Sequence, residues 1–351
     1  VPDLRVGLLG YGLAGRVFHA PLIAATPGLR LSSVVTADPD RRARAVADLP
    51  GVDVLGSPEE LWARAPDHDL VVVATGTSSH ADLTLGAVDV GLPVVVEKPM
   101  AATVADARRM AEAGRGPGVA LVPFHNRRWD SDHLTLARLR REGALGRVQR
   151  YESRFERWRP SPDPTAWRES LPGVEGGGVL LDLGVHLVDQ AVQLFGPVAR
   201  VYAEVDARRG GADDDVFVAL EHAGGVRAHL WAGAVTAAPG PRLRVLGSAG
   251  GFVVEAVDGQ EASLRAGMRA DDPAFGVEPP ERRGRLVHGD EGVAVPSERG
   301  RWTAFYAGVV EGLRGSGPLP VDADDAVAVL EVLEVARRSA REGSVLALPG
   351  R

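Results

Sequence analysis

The sequence predicts an α/β protein with an N-terminal doubly wound parallel sheet and a second domain built on antiparallel strands. Three observations carry this. Short apolar runs alternate with stretches of helical spacing as far as residue 123. Those runs are continuous, as in VVVAT (71–75) and VVVEK (94–98), which is the pattern of strands covered on both faces. From residue 198 to 255 the strand-like runs follow one another with little helix between them.

The elements follow in order. Arg5–Leu9 reads as a strand, then Gly10-Tyr11-Gly12-Leu13-Ala14-Gly15 as a turn, then Val17–Ile23 as a helix. The series continues with strand 31–35 and helix 39–49, strand 52–55 and helix 58–65, strand 70–75 and helix 80–90. Strand 94–97, helix 104–113 and strand 119–123 complete it. In the second half, 130–141 reads as a helix, 148–155 as a strand and 179–195 as a helix. Strand-like runs at 198–205, 216–221, 226–231, 242–246 and 251–255 come next. Residues 256–300, rich in Gly, Pro and charge, read as loops, and 302–314 and 323–341 as closing helices.

Composition narrows the function. A chain of 351 residues fits two domains at roughly 100–200 residues each, here 1–123 and 124–351. With 45% hydrophobic and 25% charged residues it is an ordinary folded protein. The absence of cysteine excludes disulfides, thiolate nucleophiles and Cys-ligated metals. A net charge of -7 gives no basic footprint for nucleic acid. No apolar run nears the ~18 residues of a membrane span, and the opening Val1-Pro2-Asp3-Leu4-Arg5 lacks a signal-peptide core, so a cytoplasmic protein is expected. Of 40 basic residues only Lys98 is a lysine. Arginine keeps its proton in proteins, whereas a lysine can act as acid or base, which makes Lys98 a candidate before any motif is read.

The turn after the first strand spells G-x-G-x-x-G between a strand and a helix, the context a dinucleotide-binding Rossmann domain requires. Gly10 makes the tight turn, Gly12 admits the pyrophosphate to the backbone, with Leu13 and Ala14 beside it, and Gly15 permits close helix packing. Cofactor choice belongs at the end of the second strand. Asp38, before Pro39, reads as a helix N-cap rather than a ribose ligand, while Thr36 with Arg41 and Arg42 suits a 2′-phosphate; NADP is favoured over NAD. The polar loop 74–80, including Thr75 and His80, lies at the edge where ligands bind, and Glu97 and Lys98 emerge at that same edge.

Asp182 and His186 stand four apart in the stretch 179–195, so an α-helix there would put them on one face, where an acid can orient an imidazole base. Two such ligands fall short of a zinc site, and no metal is expected. Asp189 on the same face reads as structural. Three glycines at 176–178 would let another backbone approach closely.

GLLGYGLAGRVFHAPLI, a strand ending in EKPM, and GGGVLLDLGVHLVDQ together resemble the Gfo/Idh/MocA family of NAD(P)-dependent oxidoreductases. FHNRRWD (124–130) and Trp167-Arg168-Glu169 are similar to the branch containing NADP-dependent scyllo-inositol dehydrogenases. The resemblance covers essentially the whole chain. It implies a Rossmann domain followed by a domain with a large open, mostly antiparallel sheet, and reversible oxidation of a sugar, inositol or polyol hydroxyl. The family's catalytic lysine, aspartate and histidine fall on Lys98, Asp182 and His186. The segment TAD at 36–38 departs from a clear cofactor signature.

Hydride removal from a secondary alcohol needs a base at the hydroxyl proton. His186 is the candidate, with Asp182 orienting it or holding the adjacent hydroxyl, and Lys98 stabilising alkoxide charge. Which of Lys98 and His186 takes the proton is left open by the sequence. Asn126, Arg127 and Trp167 are candidate substrate contacts. The partner is a small sugar or polyol, and an open sheet face calls for a homodimer or homotetramer. Two other classes fit the same motifs: an NAD-dependent glycosidase that oxidises its sugar transiently, and a non-catalytic nucleotide sensor.

Overall fold

The computed structural model describes residues 1–116, 118–163 and 166–348, and the chain divides into two compact units. The first comprises Val1–Asn126, Gln260–Phe275 and Arg301–Val327. Its sheet holds β1 (Leu4–Leu9), β2 (Leu29–Val35), β3 (Asp53–Leu55), β4 (Leu70–Val73), β5 (Val94–Val96) and β6 (Leu121–Pro123). The order is β3-β2-β1-β4-β5-β6, every pair parallel. All residues of β4 and β5 are buried, the result of helices on both faces. The order reverses at β1, so the turns leaving β1 and β4 flank the crevice where such sheets bind ligands. Asp38 caps the helix Pro39–Asp48 by accepting the Arg41 N–H at 2.9 Å, the N-cap role that its place before Pro39 indicates.

One local departure touches the nucleotide turn. Residues Ala14–His19 form a wide π-helical turn before the α-helix Ala20–Ala24, with the Ala20 N–H reaching back five residues to the Gly15 carbonyl. Segments far along the chain complete this unit. Trp302 donates its backbone N–H to Gln260 Oε1 at 2.8 Å, and the Phe305 ring meets Phe124 edge-on at 4.8 Å.

The second unit comprises Arg127–Gly259, Gly276–Gly300 and Ala328–Arg351. Its nine strands are β7 (Val148–Glu156), β8 (Val198–Asp206), β9 (Asp215–His222), β10 (Arg227–Gly233), β11 (Leu243–Gly247), β12 (Gly251–Val254), β13 (Arg285–His288), β14 (Glu291–Ala294) and β15 (Leu346–Ala347). They run β14-β13-β12-β11-β7-β10-β9-β8-β15, antiparallel except for β10 beside β7. The loop reading of 256–300 needs correction. This stretch contains the helix Gln260–Arg265 and a hairpin, β13–β14, that extends the sheet. Its edge strand β14 is wholly exposed and so has no apolar alternation to reveal it. The usable signal was Gly289-Asp290, a two-residue turn with Gly289 at φ +60°.

Buried charge ties this sheet to its helices. Arg242, 3% exposed, donates to Gln190 Oε1 at 2.8 Å, lies 3.2 Å from Asp132 and touches the Ser153 hydroxyl. Beside it on the helix Ser131–Arg141, burial pushes the His133 imidazole down to about 4, and its Nδ1 has no hydrogen-bond partner. The ring is therefore neutral in the folded state and takes up a proton on unfolding. Its contribution is fully present above the unfolded value near 6.5 and is lost as pH falls from there toward 4. Between pH 7 and 5 this amounts to about 2 kcal/mol. Urea midpoints at both pH values check it: wild type should lose about that much more than His133→Gln, and equal losses would contradict it. Among the described residues no helix is long and apolar enough to cross a membrane.

Candidate active site

In the first unit, the glycines after β1 divide their work as the motif requires. Gly10 sits at φ +99°, and a Cβ there would stand 2.7 Å from the Ala74 carbonyl oxygen. One on Gly15 would lie 2.0 Å from the Gly10 carbonyl oxygen. A Cβ on Gly12 would meet nothing nearer than the Arg41 guanidinium at 3.7 Å, so the turn presents bare backbone with an arginine across from it. Leu13 is exposed, Ala14 is half-buried, and Thr36 is buried at the end of β2. The turn thus fits a dinucleotide pyrophosphate. The two arginines separate: Arg42 donates to the Val54 carbonyl at 2.9 Å, whereas Arg41 is exposed on the glycine turn, 3.8 Å from Asp38.

The loop after β4 is tied by its own hydroxyls. Ser79 Oγ donates to the Gly76 carbonyl at 2.8 Å and accepts from Thr75 Oγ1 at 2.7 Å, rather than capping the following helix. His80 is buried, with Nδ1 at 3.0 Å from the Pro99 carbonyl and Nε2 at 3.4 Å from that of Thr75. It therefore braces the loop after β4 against the segment that carries Lys98. Lys98 is half-buried just past β5, and its peptide to Pro99 is cis. The buried Glu97 accepts the Lys98 backbone N–H at 2.9 Å with Oε2 and lies 3.0 Å from His19 Nε2 with Oε1. His19 is a polar residue of this region that the motifs did not single out.

In the second unit, Asp182 lies in a π-helical turn, Leu180–Gly184, and His186 in the α-helix that follows, Val185–Phe195. Asp182 Oδ1 is 3.2 Å from Arg168 Nε, and Oδ2 is 3.8 Å from Arg157. The Arg168 guanidinium covers the half-buried Trp167 ring at 4.2 Å. Arg157 is an addition to the sequence reading; Arg168 was quoted there only as part of W-R-E. His186 is buried against the edge of Phe155, ring centroids 6.2 Å apart.

The glycines before this helix admit Asp213. Its carboxylate accepts the Leu180 N–H at 2.7 Å, and its carbonyl the Val179 N–H at 2.9 Å. A Cβ on Gly178, at φ +88°, would fall 2.0 Å from Asp213 Oδ1, and one on Gly177 would fall 1.9 Å from the Leu171 carbonyl oxygen. Burial raises the Asp213 carboxyl above its usual range, against the lowering effect of the Leu180 N–H and Arg337. Asp189 is structural, paired with Arg128 at 2.6 Å. Asn126 is buried in a short turn, Asn126–Trp129. Arg127 is only 8% exposed, 3.2 Å from Asp130 and 4.7 Å over the Phe155 ring, with Arg242 4.1 Å from that ring. Arg127 and His186 thus both lie against the Phe155 ring.

A doubly wound sheet with a bare G-x-G-x-x-G turn and a lysine at the same edge defines a dinucleotide-binding protein. Residues 4–125 match the oxidoreductase family with NAD-binding Rossmann fold, and residues 133–253 match the GFO/IDH/MocA C-terminal domain. The chain belongs to the Gfo/Idh/MocA oxidoreductase family, and its first unit is an NAD(P)-binding domain. It is 35% identical to scyllo-inositol 2-dehydrogenase (NADP(+)) IolW of Bacillus subtilis, over 99% of this chain and 97% of that protein. It is 38% identical to the oxidoreductase YdgJ of Escherichia coli, described as uncharacterized, over 99% of each. A solved structure from Yersinia pestis, YPO2259, aligns with TM-score 0.91 at 36% identity, over all of this chain and 99% of that one.

Proposed function

We propose that this enzyme is an NADP-dependent dehydrogenase acting on a secondary hydroxyl of an inositol, sugar or polyol. The observation that carries the reading is the bare Gly12 turn with Arg41 beside it in the first unit; in the second, Asp182 and His186 stand on consecutive helical turns. The similarity to IolW supports both the cofactor and the substrate class. In this reading Gly10, Gly12, Leu13, Ala14 and Gly15 hold the pyrophosphate, and Thr36 and Arg41 the adenosine end. Thr75, His80 and Glu97 shape the segments toward the nicotinamide. The cofactor, when bound, supplies the hydride acceptor.

The chain's own groups manage the proton. His186 takes it from the substrate hydroxyl, Asp182 holds the adjacent hydroxyl, and the Lys98 ammonium stabilises the developing alkoxide. Asn126, Arg127 and Trp167 contact the ring, the indole stacking on its apolar face, and Arg168 holds Asp182. The half-exposed sheet face bearing Phe217 and Trp231, with Arg154 3.8 Å over the indole, suits association into a homodimer or homotetramer.

The test is absorbance of reduced nicotinamide with NAD and NADP separately, across inositols, aldoses and polyols. Reduction of NADP by one class of these is expected. Cofactor retained through dialysis with no net reduction would favour the glycosidase class instead. For cofactor choice, Arg41→Ala should raise the NADP Kd about tenfold and leave NAD within twofold, the loss of one charge-assisted phosphate hydrogen bond. Arg42→Ala, whose side chain is held by Val54, should change neither ratio. Fluorescence titration of both reduced cofactors reads this directly, and equal losses for the two would remove Arg41 from phosphate recognition.

A further inference from the structure

We propose that His19 and Tyr306 are positioning residues for Lys98, acting through the buried carboxylate of Glu97. The proposal deepens the reading of Lys98 as the group that stabilises alkoxide charge, and it rests on that reading. All four residues belong to the first unit, although Tyr306 comes from a helix, Thr303–Leu313, more than two hundred residues beyond the nucleotide turn.

The contacts form one chain. Tyr306 Oη is 2.6 Å from His19 Nδ1, His19 Nε2 is 3.0 Å from Glu97 Oε1, and Glu97 Oε2 accepts the Lys98 N–H at 2.9 Å. His19 and Tyr306 are 0% exposed and Glu97 is 5% exposed. The ring of His19 packs 4.4 Å from Phe124, and that of Tyr306 lies 5.3 Å from Phe305. Polar atoms in such surroundings interact strongly and are costly to leave unsatisfied.

The direction of the hydrogen bonds follows from the carboxylate and the phenol together. Burial, and then the Glu97 charge, push Tyr306 well above its usual value, so its oxygen keeps its proton. A carboxylate only accepts, so the proton between the ring and Glu97 sits on Nε2, and the singly protonated ring accepts the phenol proton at Nδ1. Two donors, the imidazole and the Lys98 amide, thus converge on one carboxylate, an arrangement suited to its ionised form. The consequence reaches Lys98 through its backbone. The carboxylate fixes the peptide from which the lysine side chain departs, and so the place from which the ammonium reaches developing alkoxide charge.

Two measurements test this. The first uses turnover: Tyr306→Phe keeps the ring and removes the donor. It should bind NADPH within twofold of wild type and lower kcat about tenfold, with KM for the alcohol little changed. His19→Leu should do more, and His19→Gln, whose amide can still donate to Glu97, should recover part of the loss. Folded variants with wild-type kcat would overturn the proposal, even with a lowered melting temperature. The second needs neither turnover nor a folded variant. Nitrogen-15 NMR of the histidine-labelled wild-type protein should show His19 as the Nε2–H tautomer, and an Nδ1–H or doubly protonated ring would overturn the network. If wild type oxidises no member of the substrate panel while His19 is the Nε2–H tautomer, the functional reading fails and the network stands.

Discussion

Lys98→Arg is expected to lower kcat by about 10²–10³-fold, the cost of misplacing a donor aimed at developing oxyanion charge. Guanidinium keeps the positive charge but is planar and longer, and it cannot reproduce a compact ammonium on the same backbone. The surroundings leave little room for adjustment. The lysine follows a fully buried strand, its backbone N–H is held by Glu97 and its peptide partner Pro99 is braced by His80. The NADPH Kd should stay within a few-fold, because the glycine turn and Arg41 lie on other segments. Steady-state rates together with fluorescence titration separate the two quantities. A wild-type kcat in the folded variant would remove Lys98 from the chemistry.

His186→Ala should have an effect of similar or greater size, about 10²–10⁴-fold in kcat/KM for alcohol oxidation, the usual worth of a positioned general base. The sign of its pH dependence is fixed by the chemistry. A base works unprotonated, so oxidation by wild type falls as pH drops and the imidazole takes up a proton. The variant should lack that limb while keeping the slope set by other groups. Truncation also removes a ring packed against Phe155, so the thermal melt must be followed alongside the rate. His186→Asn, which fills most of the space without a titrating base, should lose the same limb. Persistence of the acid limb in a folded variant would reassign the base, with Lys98 the remaining candidate.

The fold class and much of the candidate site were legible in the sequence because they rest on local physics. Continuous apolar strands, a glycine turn between strand and helix, and Asp38 before Pro39 each report a constraint acting within a few residues, and the six-stranded sheet and the cap are found where those patterns lie. The single lysine was equally plain, since composition alone isolates it. The hairpin β13–β14 escaped because an exposed edge strand pairs through backbone atoms and so has little need of apolar side chains. The two π-helical turns escaped because α-spacing is the only helical period a hydrophobic pattern announces.

What only the tertiary structure decided is which polar groups meet. Nothing near residue 97 announces Tyr306, and nothing near residue 180 announces Asp213. Buried polar atoms must find partners wherever the folded chain supplies them. The same holds for Arg127, whose guanidinium meets Phe155 and Asp130. Residue type and spacing specify what a side chain is able to do. Its partners, and therefore its role, are set by contacts between segments distant in sequence, which no local pattern encodes.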